Sequence, residues 1–276
     1  ALRELGHDVF TIDVTPDLIQ LIQALSPRPD AVFNALHGPF GEDGTVQGLL
    51  DTLAIPYTHS GRRASALAID KPMAKRLFAD AGIRCPEGVT VALDEASRQM
   101  PAPYVIKPPY EGSSVGVRIV LEGDNRQPID AATWPYGERV MVERYIPGRE
   151  ITVAVMEDTA LGVLEIRPRQ GFYDYEAKYT EGKADHLCPA PLPAGIYAEA
   201  EHMSRLAHRT LGCRGITRCD LRYDDTRGDP GTLYLLEINT QPGMTPLSLV
   251  PEIAAYAGYS FTDLVKWMVE HAQCDR

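Results

Sequence analysis

The sequence lacks the features that mark several large classes of protein. Its 276 residues carry 27 Lys and Arg against 38 Asp and Glu, a formal net charge of −11, which argues against an extended nucleic-acid surface or a surface for anionic membranes. No uninterrupted apolar run approaches the ~20 residues that a membrane-spanning helix needs. The five cysteines are irregularly spaced and form no CxxC pair, which predicts reduced thiols in a cytoplasmic protein. Internal repeats and low-complexity tracts are also missing, which leaves an ordinary globular protein.

The pattern of the first 62 residues predicts an α/β unit. Apolar runs at 9–14 and 30–36 are typical of strands. Helices are expected from Thr15, as the capping residue before Pro16 and an acidic residue, to about Leu25, and again at 45–53. Strands that alternate with helices indicate a parallel sheet with covered faces.

After residue 62 the pattern changes, and the fold class we predict is α/β (α+β) with three units. Two consecutive helices lead into short strands separated by Gly and Pro, which favour a small antiparallel sheet, and a larger sheet-and-helix unit follows. The predicted strands are 104–107, 115–120, 139–143, 151–156, 161–166, 216–223 and 232–238, and the predicted helices are 64–70, 72–81, 194–211, 249–257 and 261–271. The expected units are a partial parallel α/β domain at 1–62, a small central antiparallel domain at 63–145, and a larger C-terminal domain at 146–276.

The segment from Glu237 to Thr245 carries the strongest local signal for a metal site. Glu237 and Asn239 are two residues apart at the end of an apolar run, so on a strand they point to one face, just before a Pro-Gly turn. Asp220, one strand upstream, can add a third oxygen, and hard oxygen ligands suit magnesium. The alternative is a strand end with two solvated polar residues.

A glycine-rich loop joins two predicted strands at residues 107–117. Gly112 and Gly116 permit a tight backbone whose N–H groups can close over phosphates, and Ser113 adds a short donor. Lys107 leaves the preceding strand and can reach the same phosphates as a cation. The loop lacks the GK[ST] ending of a Walker A motif, and the alternative is an ordinary hairpin turn.

Four single residues add weaker indications. Glu143 and Glu150 flank the predicted boundary at residue 146, where one carboxylate can meet an adenine edge and the other a ribose, although by themselves they favour two exposed acids beside a turn. His37 follows a predicted strand, where open α/β sheets bind ligands, but a lone histidine is more often a structural hydrogen-bonder. Lys71 can face phosphates, yet most single lysines are solvated.

Residues 172–179 are dense in aromatic side chains and show no clear periodicity. Such polar-aromatic loops often act as lids over a substrate. Lys178 could then place a positive charge against a transferring phosphoryl group, and Tyr179 could orient a substrate. The alternative is an edge strand with a solvated lysine.

Together these segments resemble the ATP-grasp ligases, and most closely the D-alanine–D-alanine ligase family. The matching segments occur in the family's order from about residue 32 to the end: HGPFGEDGTVQGLL (37–50), PYTHSG (56–61), ASALAIDK (64–71), KPPYEGSSVGV (107–117), YDYEAKY (173–179), RCD (218–220) and EINTQPGMTPLSLVP (237–251). The resemblance implies that ATP lies between two antiparallel sheets and phosphorylates the carboxylate of a first D-alanine. The amine of a second D-alanine then attacks the acyl phosphate, which supplies a precursor for peptidoglycan, the cell wall and cell shape.

The resemblance also implies cofactors, an assembly and residue roles. The cofactors are ATP and two Mg²⁺ or Mn²⁺ ions, and the assembly is a homodimer built largely by the N-terminal unit. For the nucleotide and metals, the resemblance implies that Lys71, Lys107 and Lys178 neutralise phosphates, that Glu143 and Glu150 recognise adenine and ribose, and that Asp220, Glu237 and Asn239 bind the metal ions. For the substrates, it implies that Ser113 and Tyr179 hydrogen-bond over them, and that Arg218 and the Gly243 backbone stabilise the tetrahedral intermediate. It also implies that Ser248 and Leu249 bind the carboxylate of the second amino acid and that His37 lines the pocket of the first.

Two departures from the family pattern accompany the match. The family's first strand, with a glycine-rich turn and a glutamate for the first D-alanine, has no counterpart here. Because Ala1 to Gly6 is typical of a helix end, we expect the sequence to be N-terminally truncated. In addition, His59 stands where many members have glycine, and Leu247 where many have histidine.

Two rival functions stay open from the sequence. One is a ligase of the same class that takes a different second D-amino acid such as D-serine, which the residues around Leu247 to Leu249 would decide. The other is an inactive nucleotide-binding or assembly protein, which the missing first strand makes plausible. Tyr179 favours an amine over a hydroxy acid as acceptor, because depsipeptide-forming members usually carry phenylalanine there.

Overall fold

The computed structural model describes residues 1–112, 115–124, 129, 132–169 and 184–275. Two antiparallel sheets dominate these residues, one of four strands and one of five. None of the helices in the described ranges is both long and apolar enough to cross a membrane.

The N-terminal segment contains two short helices, α1 (Leu18–Ala24) and α2 (Thr45–Thr52). The side chain of Asp17 caps α1 by accepting hydrogen bonds from two backbone N–H groups at 2.9 and 3.1 Å. The capping residue is therefore Asp17 and not Thr15, which corrects the sequence-based assignment.

The predicted strands at 9–14 and 30–36 are wrong for this structure. In the described part of the chain they contribute only an isolated parallel bridge, between Val32 and Tyr57. A strand persists only where a neighbour satisfies its backbone groups, and apolar periodicity does not report whether that neighbour exists. The apolar pattern itself still leads to burial, since Ile12 and Val14 pack against the cluster formed by α1 and α2.

Helices α3 (Arg62–Ile69) and α4 (Lys71–Asp80) follow in direct succession, as predicted. Asp70 ends the first helix and caps the second, accepting a hydrogen bond from the Met73 N–H at 3.0 Å. Ala74 and Phe78 of α4 are buried in the core of the larger sheet. This packing fixes the start of α4 at the edge of the space between the two sheets.

The smaller sheet has the order β1-β4-β2-β3. Its strands are β1 (Gly88–Ala92), β2 (Tyr104–Lys107), β3 (Arg118–Val120) and β4 (Arg139–Arg144), and a 3₁₀ helix spans Leu93–Arg98. The sequence pattern missed β1 and the 3₁₀ helix and made β3 too long. Ile106 and Val142 face the core under the 3₁₀ helix. Lys107 and Glu143, one residue further along, therefore point to the opposite face, toward the larger sheet.

The larger sheet has the order β7-β6-β5-β8-β9. Its strands are β5 (Arg149–Met156), β6 (Thr159–Pro168), β7 (Ala184–Leu187), β8 (Ile216–Asp224) and β9 (Thr232–Asn239), and the accompanying helices are α5 (Ala194–Leu211), α6 (Leu249–Tyr256) and α7 (Phe261–Glu270). The β5–β6 hairpin turns where predicted, and α5 keeps its predicted bounds. β7 was not predicted.

Helices cover both faces of the larger sheet. Val153 and Val155 of β5 pack in the cluster that contains α3, α4 and α5. Ala154 and Met156 point to the other face and pack with α6 and α7. Because α6 and α7 cover only one end of that second face, its other end is left to the polar residues that face the smaller sheet.

Candidate active site

Two cavities lie between the two sheets. The larger has a volume of about 310 Å³ and reaches from α3 to the start of α6, and the smaller, about 100 Å³, lies under the β2–β3 loop. Five residues line both cavities: Lys71, Gly112, Glu150, Asp220 and Glu237. The two spaces therefore meet at a junction that is lined by one lysine and three carboxylates.

A β-bulge directs Glu237 into this junction. Leu235 pairs with Leu221 and faces the apolar core, so strict alternation would send Glu237 the same way. The register shifts between Asp220 and Leu221, with Leu236 as the extra residue, and Glu237 therefore pairs with Asp220. Glu237 and Asp220 thus lie side by side on the face that the cavities share.

The three predicted metal ligands come together at the end of this strand pair. Glu237 pairs with Asp220 and Asn239 with Arg218 across β8 and β9, and the three oxygen-bearing side chains line the larger cavity. The set of two carboxylates and one amide oxygen matches the hard donors that Mg²⁺ and Mn²⁺ prefer. No group of three His, Cys, Asp or Glu side chains among the described residues is arranged to hold a metal. Asn239 is the third oxygen-bearing member of the candidate set.

The oxygens of Asp220 and Asn239 already have protein partners. Arg218 donates to both carboxylate oxygens of Asp220, at 2.8 and 2.7 Å, and Thr152 donates to one of them at 2.8 Å. The side-chain oxygen of Asn239 accepts from the backbone N–H of Gln241 at 2.7 Å. These contacts orient the ligands, and a bound cation would have to share Asp220 with Arg218.

Lys71 contacts the junction from the first turn of α4. Its Nζ lies 3.6 Å from Oε2 of Glu237 and donates to the backbone carbonyl of Glu111 in the glycine-rich loop. Burial lowers the pKa of Lys71, although the Glu237 carboxylate opposes this effect. A negatively charged ligand in the junction would favour the charged ammonium, because its charge would offset the hydration that burial removes.

Glu143 lies between two lysines at the floor of the smaller cavity. Its Oε2 is 2.7 Å from Nζ of Lys107 and its Oε1 is 2.5 Å from Nζ of Lys75. Burial disfavours the carboxylate, but the two lysines outweigh burial and hold the pKa of Glu143 below its usual value. Burial also disfavours the charge on Lys107, yet Glu143 and Glu237 raise the pKa of Lys107 overall. Glu143 is buried, so the interpretation of an exposed acid beside a turn is wrong.

Glu150, at the start of β5, lines both cavities and lies 3.5 Å from Arg222 on the neighbouring strand. Arg222 also donates to the backbone carbonyl of Gly148 at 2.8 Å. The guanidinium therefore holds the hinge between β4 and β5 next to the carboxylate. Glu150 is not an exposed acid beside a turn either.

The remaining candidates meet at the far end of the larger cavity. His37 is half exposed and its Nδ1 lies 3.3 Å from Oε1 of Glu42, which is itself buried. A Cβ on Gly243 would lie 2.7 Å from Oγ of Ser248 and 4.0 Å from the His37 ring. Ser248 precedes Leu249, the first residue of α6, and both line this cavity. Gly243 and Ser248, from the loop between β9 and α6, thus converge with His37 from the N-terminal segment.

Three of the predicted site residues lie outside the described residues. They are Ser113, in the glycine-rich loop, and Lys178 and Tyr179, in the aromatic segment.

Two polar residues at the site were missed by sequence reasoning. Lys75 is one helical turn after Lys71, so the i, i+4 spacing on α4 could have indicated it. Gln241 is fully buried and accepts a hydrogen bond from Asn34 at 2.6 Å, which ties the end of β9 to the N-terminal segment. No sequence pattern relates Gln241 to Asn34, because the contact exists only in the folded chain.

Comparisons with known proteins place this geometry in context. The family model for the D-ala D-ala ligase C-terminus matches residues 85–270, and the model for the D-ala D-ala ligase N-terminus matches residues 15–60. The chain is 55% identical over 276 residues to a D-alanine–D-alanine ligase of Granulibacter bethesdensis, covering 99% of this chain and 90% of the relative. It is 56% identical, with the same coverage, to a D-alanine–D-alanine ligase of Acidiphilium cryptum.

Solved structures show the same similarity. The D-alanine–D-alanine ligase from Bacillus anthracis complexed with ATP superposes with a TM-score of 0.75 at 31% identity, over 93% of this chain and 83% of that one. The VanG D-Ala:D-Ser ligase from Enterococcus faecalis gives a TM-score of 0.73 at 32% identity, over 87% of this chain and 72% of that one. The fold class predicted from the sequence, ATP-grasp, is confirmed by these matches.

Proposed function

Since this chain belongs to the D-alanine–D-alanine ligase family, we infer that it is an ATP-dependent carboxylate–amine ligase that joins two D-alanines into D-alanyl-D-alanine. The product is a building block of peptidoglycan, and thereby of the cell wall and cell shape. One observation on the chain itself carries this inference: Lys71, Asp220 and Glu237 lie at the junction between the two cavities. They therefore stand between a space for a nucleotide and a space for its co-substrate.

The reaction we propose divides between the two cavities. ATP occupies the space between the sheets with its terminal phosphate at the junction, and the first D-alanine occupies the larger cavity. A carboxylate oxygen of that D-alanine attacks the γ-phosphorus, and ADP leaves. The amine of the second D-alanine then attacks the acyl phosphate, and inorganic phosphate departs as the peptide bond forms. Because the acyl phosphate hydrolyses readily, the site must keep water out during both steps.

The nucleotide contacts follow from the position of each side chain. Lys71 and Lys107 neutralise phosphate charge beside the glycine-rich loop, and Gly112 leaves its backbone free to approach the phosphates. Glu143 accepts from the exocyclic amine of adenine, and Glu150 accepts from ribose hydroxyls at the hinge. Lys178, in the aromatic segment, would add a further cation against the transferring phosphoryl group.

We propose that Asp220, Glu237 and Asn239 hold two Mg²⁺ or Mn²⁺ ions when ATP binds. Their oxygens are of the right chemical type and share one face of the β8–β9 pair. Bound there, the metal ions would neutralise the charge that builds up on the transferring phosphoryl group. The protein's own contribution is to orient Asp220 through Arg218 and Thr152, and Asn239 through the Gln241 backbone.

The acceptor side of the site uses the far end of the larger cavity. We propose that Arg218 and the backbone N–H of Gly243 stabilise the negative oxygen of the tetrahedral intermediate. Ser248 and Leu249 fix the carboxylate of the second D-alanine, and His37 lines the pocket of the first. Ser113 and Tyr179 would hydrogen-bond with each other over the substrates.

A second candidate is a ligase whose second substrate is D-serine. Leu247, one residue before Ser248, lines the larger cavity and is 48% exposed, so the second subsite has an apolar wall where many family members carry histidine. The similarity to a D-Ala:D-Ser ligase gives this alternative a specific reason for testing. An inactive nucleotide-binding homologue is the third possibility, and the presence of Lys71, Asp220 and Glu237 at the junction argues against it.

We propose the three units 1–62, 63–145 and 146–276, with α3 and α4 docked against the larger sheet. We propose a homodimer formed through the N-terminal unit, and the exposed apolar side chains of Phe10, Ile19 and Ile22 support this face. The thiols of Cys85, Cys188, Cys213 and Cys219 form no disulfide, which suits the reducing cytoplasm where we propose that the reaction occurs.

Release of ADP in a coupled assay with ATP, Mg²⁺ and D-alanine tests the proposed function. We expect turnover that depends on D-alanine and yields the dipeptide. When D-alanine is limiting and D-serine is the only acceptor added, we expect far less product. Nucleotide binding without any dependence on a D-amino acid would support the inactive homologue. Formation of a mixed D-Ala–D-Ser product in preference to the D-Ala dipeptide would support the second candidate.

A further inference from the structure

Helix α4 presents two lysines to two carboxylates on different sheets. Lys71 and Lys75 are four residues apart and therefore share one face of the helix. Lys71 contacts Glu237 of the larger sheet, and Lys75 contacts Glu143 of the smaller sheet. One helix face thus supplies a cation to each wall of the nucleotide cleft.

Lys75 has a fixed position behind Glu143. Its Nζ is 2.5 Å from Oε1 of Glu143 and donates to the backbone carbonyl of Pro86 at 2.6 Å. Its side chain is 13% exposed and lines neither cavity. A nucleotide in the cleft would touch Glu143 without touching Lys75.

Lys107 contacts the same carboxylate from the other side. Its Nζ is 2.7 Å from Oε2 of Glu143, and unlike Lys75 it lines the smaller cavity. The proposed function gives Lys107 a second task, because it must also neutralise a phosphate. An ammonium that turns to a phosphate leaves Glu143 with one cation fewer, and a buried carboxylate without a counter-ion is strongly unfavourable.

We propose that Lys75 is a positioning residue of the nucleotide site, the permanent counter-ion of Glu143 that allows Lys107 to move from Glu143 to a nucleotide phosphate. This inference rests on the proposed function, because it assumes a phosphate-bearing ligand in the cleft. Glu143 keeps its negative charge and its orientation toward adenine in both states. With Lys75 removed, Lys107 would be held by Glu143, and the phosphates would lose a cation.

The test compares a ligand that carries phosphates with one that does not. In Lys75→Met the stem length is kept and the charge is lost, and Lys75→Arg keeps the charge. Lys266→Met, on the exposed face of α7, is the matched control. Dissociation constants for Mg·ATP and inhibition constants for adenosine at up to millimolar concentration are measured on the full chain, together with KM for D-alanine.

We expect Lys75→Met to weaken ATP binding at least about tenfold, which corresponds to one unit of log affinity. The affinity for adenosine and KM for D-alanine should stay within about twofold of the values for the unmodified chain. Lys75→Arg should restore most of the ATP affinity, and Lys266→Met should match the unmodified chain. Equal losses for ATP and adenosine would show a merely structural lysine and overturn the proposal, as would no loss for either. An unmodified chain that binds no ATP would remove the proposed function, and this inference with it.

A second variant keeps the test decisive if Lys75→Met folds poorly. In Lys75→Met combined with Glu143→Gln, no carboxylate remains to hold Lys107 away from the phosphates. The ratio of adenosine to ATP affinity should then return toward that of the unmodified chain, even though both affinities fall through loss of the adenine contact. A ratio as high as in Lys75→Met alone would contradict the exchange of Lys107 between the two anions.

Discussion

Replacing Gly243 by alanine perturbs the proposed acceptor subsite at a single point. Gly243 does not have a positive φ, so alanine can adopt its backbone conformation. The new Cβ would lie 2.7 Å from Oγ of Ser248, but 3.6 Å from Ser248 Cβ, which is an ordinary contact. The conflict is therefore with one hydroxyl, and a rotation of Ser248 about χ1 relieves it.

The cost of that rotation can be worked out from the contacts of the hydroxyl. Oγ of Ser248 accepts from the backbone N–H of Thr245 at 3.0 Å and lies 3.0 Å from the Thr245 hydroxyl. Losing both hydrogen bonds costs about 0.5–1.5 kcal/mol each. The reduced freedom of the unfolded chain returns about 0.4–1 kcal/mol. We therefore expect Gly243→Ala to lower the free energy of unfolding by only about 1 kcal/mol.

The effect on activity should be larger and confined to the second D-alanine. Since Ser248 is proposed to bind the carboxylate of that substrate, we expect KM for the second D-alanine to rise about tenfold, about 1.4 kcal/mol, with little change in KM for the first. D-alanine saturation curves from the coupled ADP assay separate the two constants. Gly195→Ala is the control, because a Cβ there meets no atom within 4 Å.

A double variant decides whether the hydroxyl is the cause. In Ser248→Ala the Oγ is absent, so adding Gly243→Ala should change KM for the second D-alanine by less than about twofold. Additive effects of the two substitutions on this KM would show that the Ser248 hydroxyl is not the cause of the change. A rise in KM for the first D-alanine would equally count against the assignment of Ser248.

Three further outcomes are expected. Glu237→Gln should abolish turnover, and normal turnover would refute the metal assignment. Because the substitution removes the carboxylate that raises the pKa of the buried Lys71, the loss of ATP affinity at alkaline pH should shift to lower pH. Burial lowers the pKa of His59 and His208 to about 4. As pH falls from 6.5 to 4.5, the unfolded chain therefore gains protons that the folded chain does not, and the free energy of unfolding should fall toward a loss of about 3 kcal/mol per histidine. Urea titrations measure this fall, and a free energy of unfolding that does not change with pH would contradict it. Tyr179→Phe should raise the use of D-lactate as acceptor, and an unchanged acceptor profile in competition assays would count against the role of Tyr179.

Local sequence was sufficient for the elements whose stability is itself local. Helix α5 (Ala194–Leu211) was predicted with its observed bounds because its apolar periodicity is long and Gly212 adopts the left-handed conformation that ends it. The β5–β6 hairpin and the β8 and β9 strands were predicted because continuous apolar runs are bounded by turn residues. The same pattern failed at 9–14, since a strand also depends on a partner that the run itself does not specify.

The order of residues along the chain specifies which chemical groups are available: the glycine-rich loop after Lys107, and the Glu-x-Asn pair after an apolar run. Which of these groups face each other depends on the folded structure. The bulge beside Asp220 turns Glu237 out of the apolar core and into the junction. Helix packing sets Lys75 against Glu143, 68 residues away. These outcomes depend on strand register and helix docking, which arise from long-range packing, and a short sequence window carries no record of them.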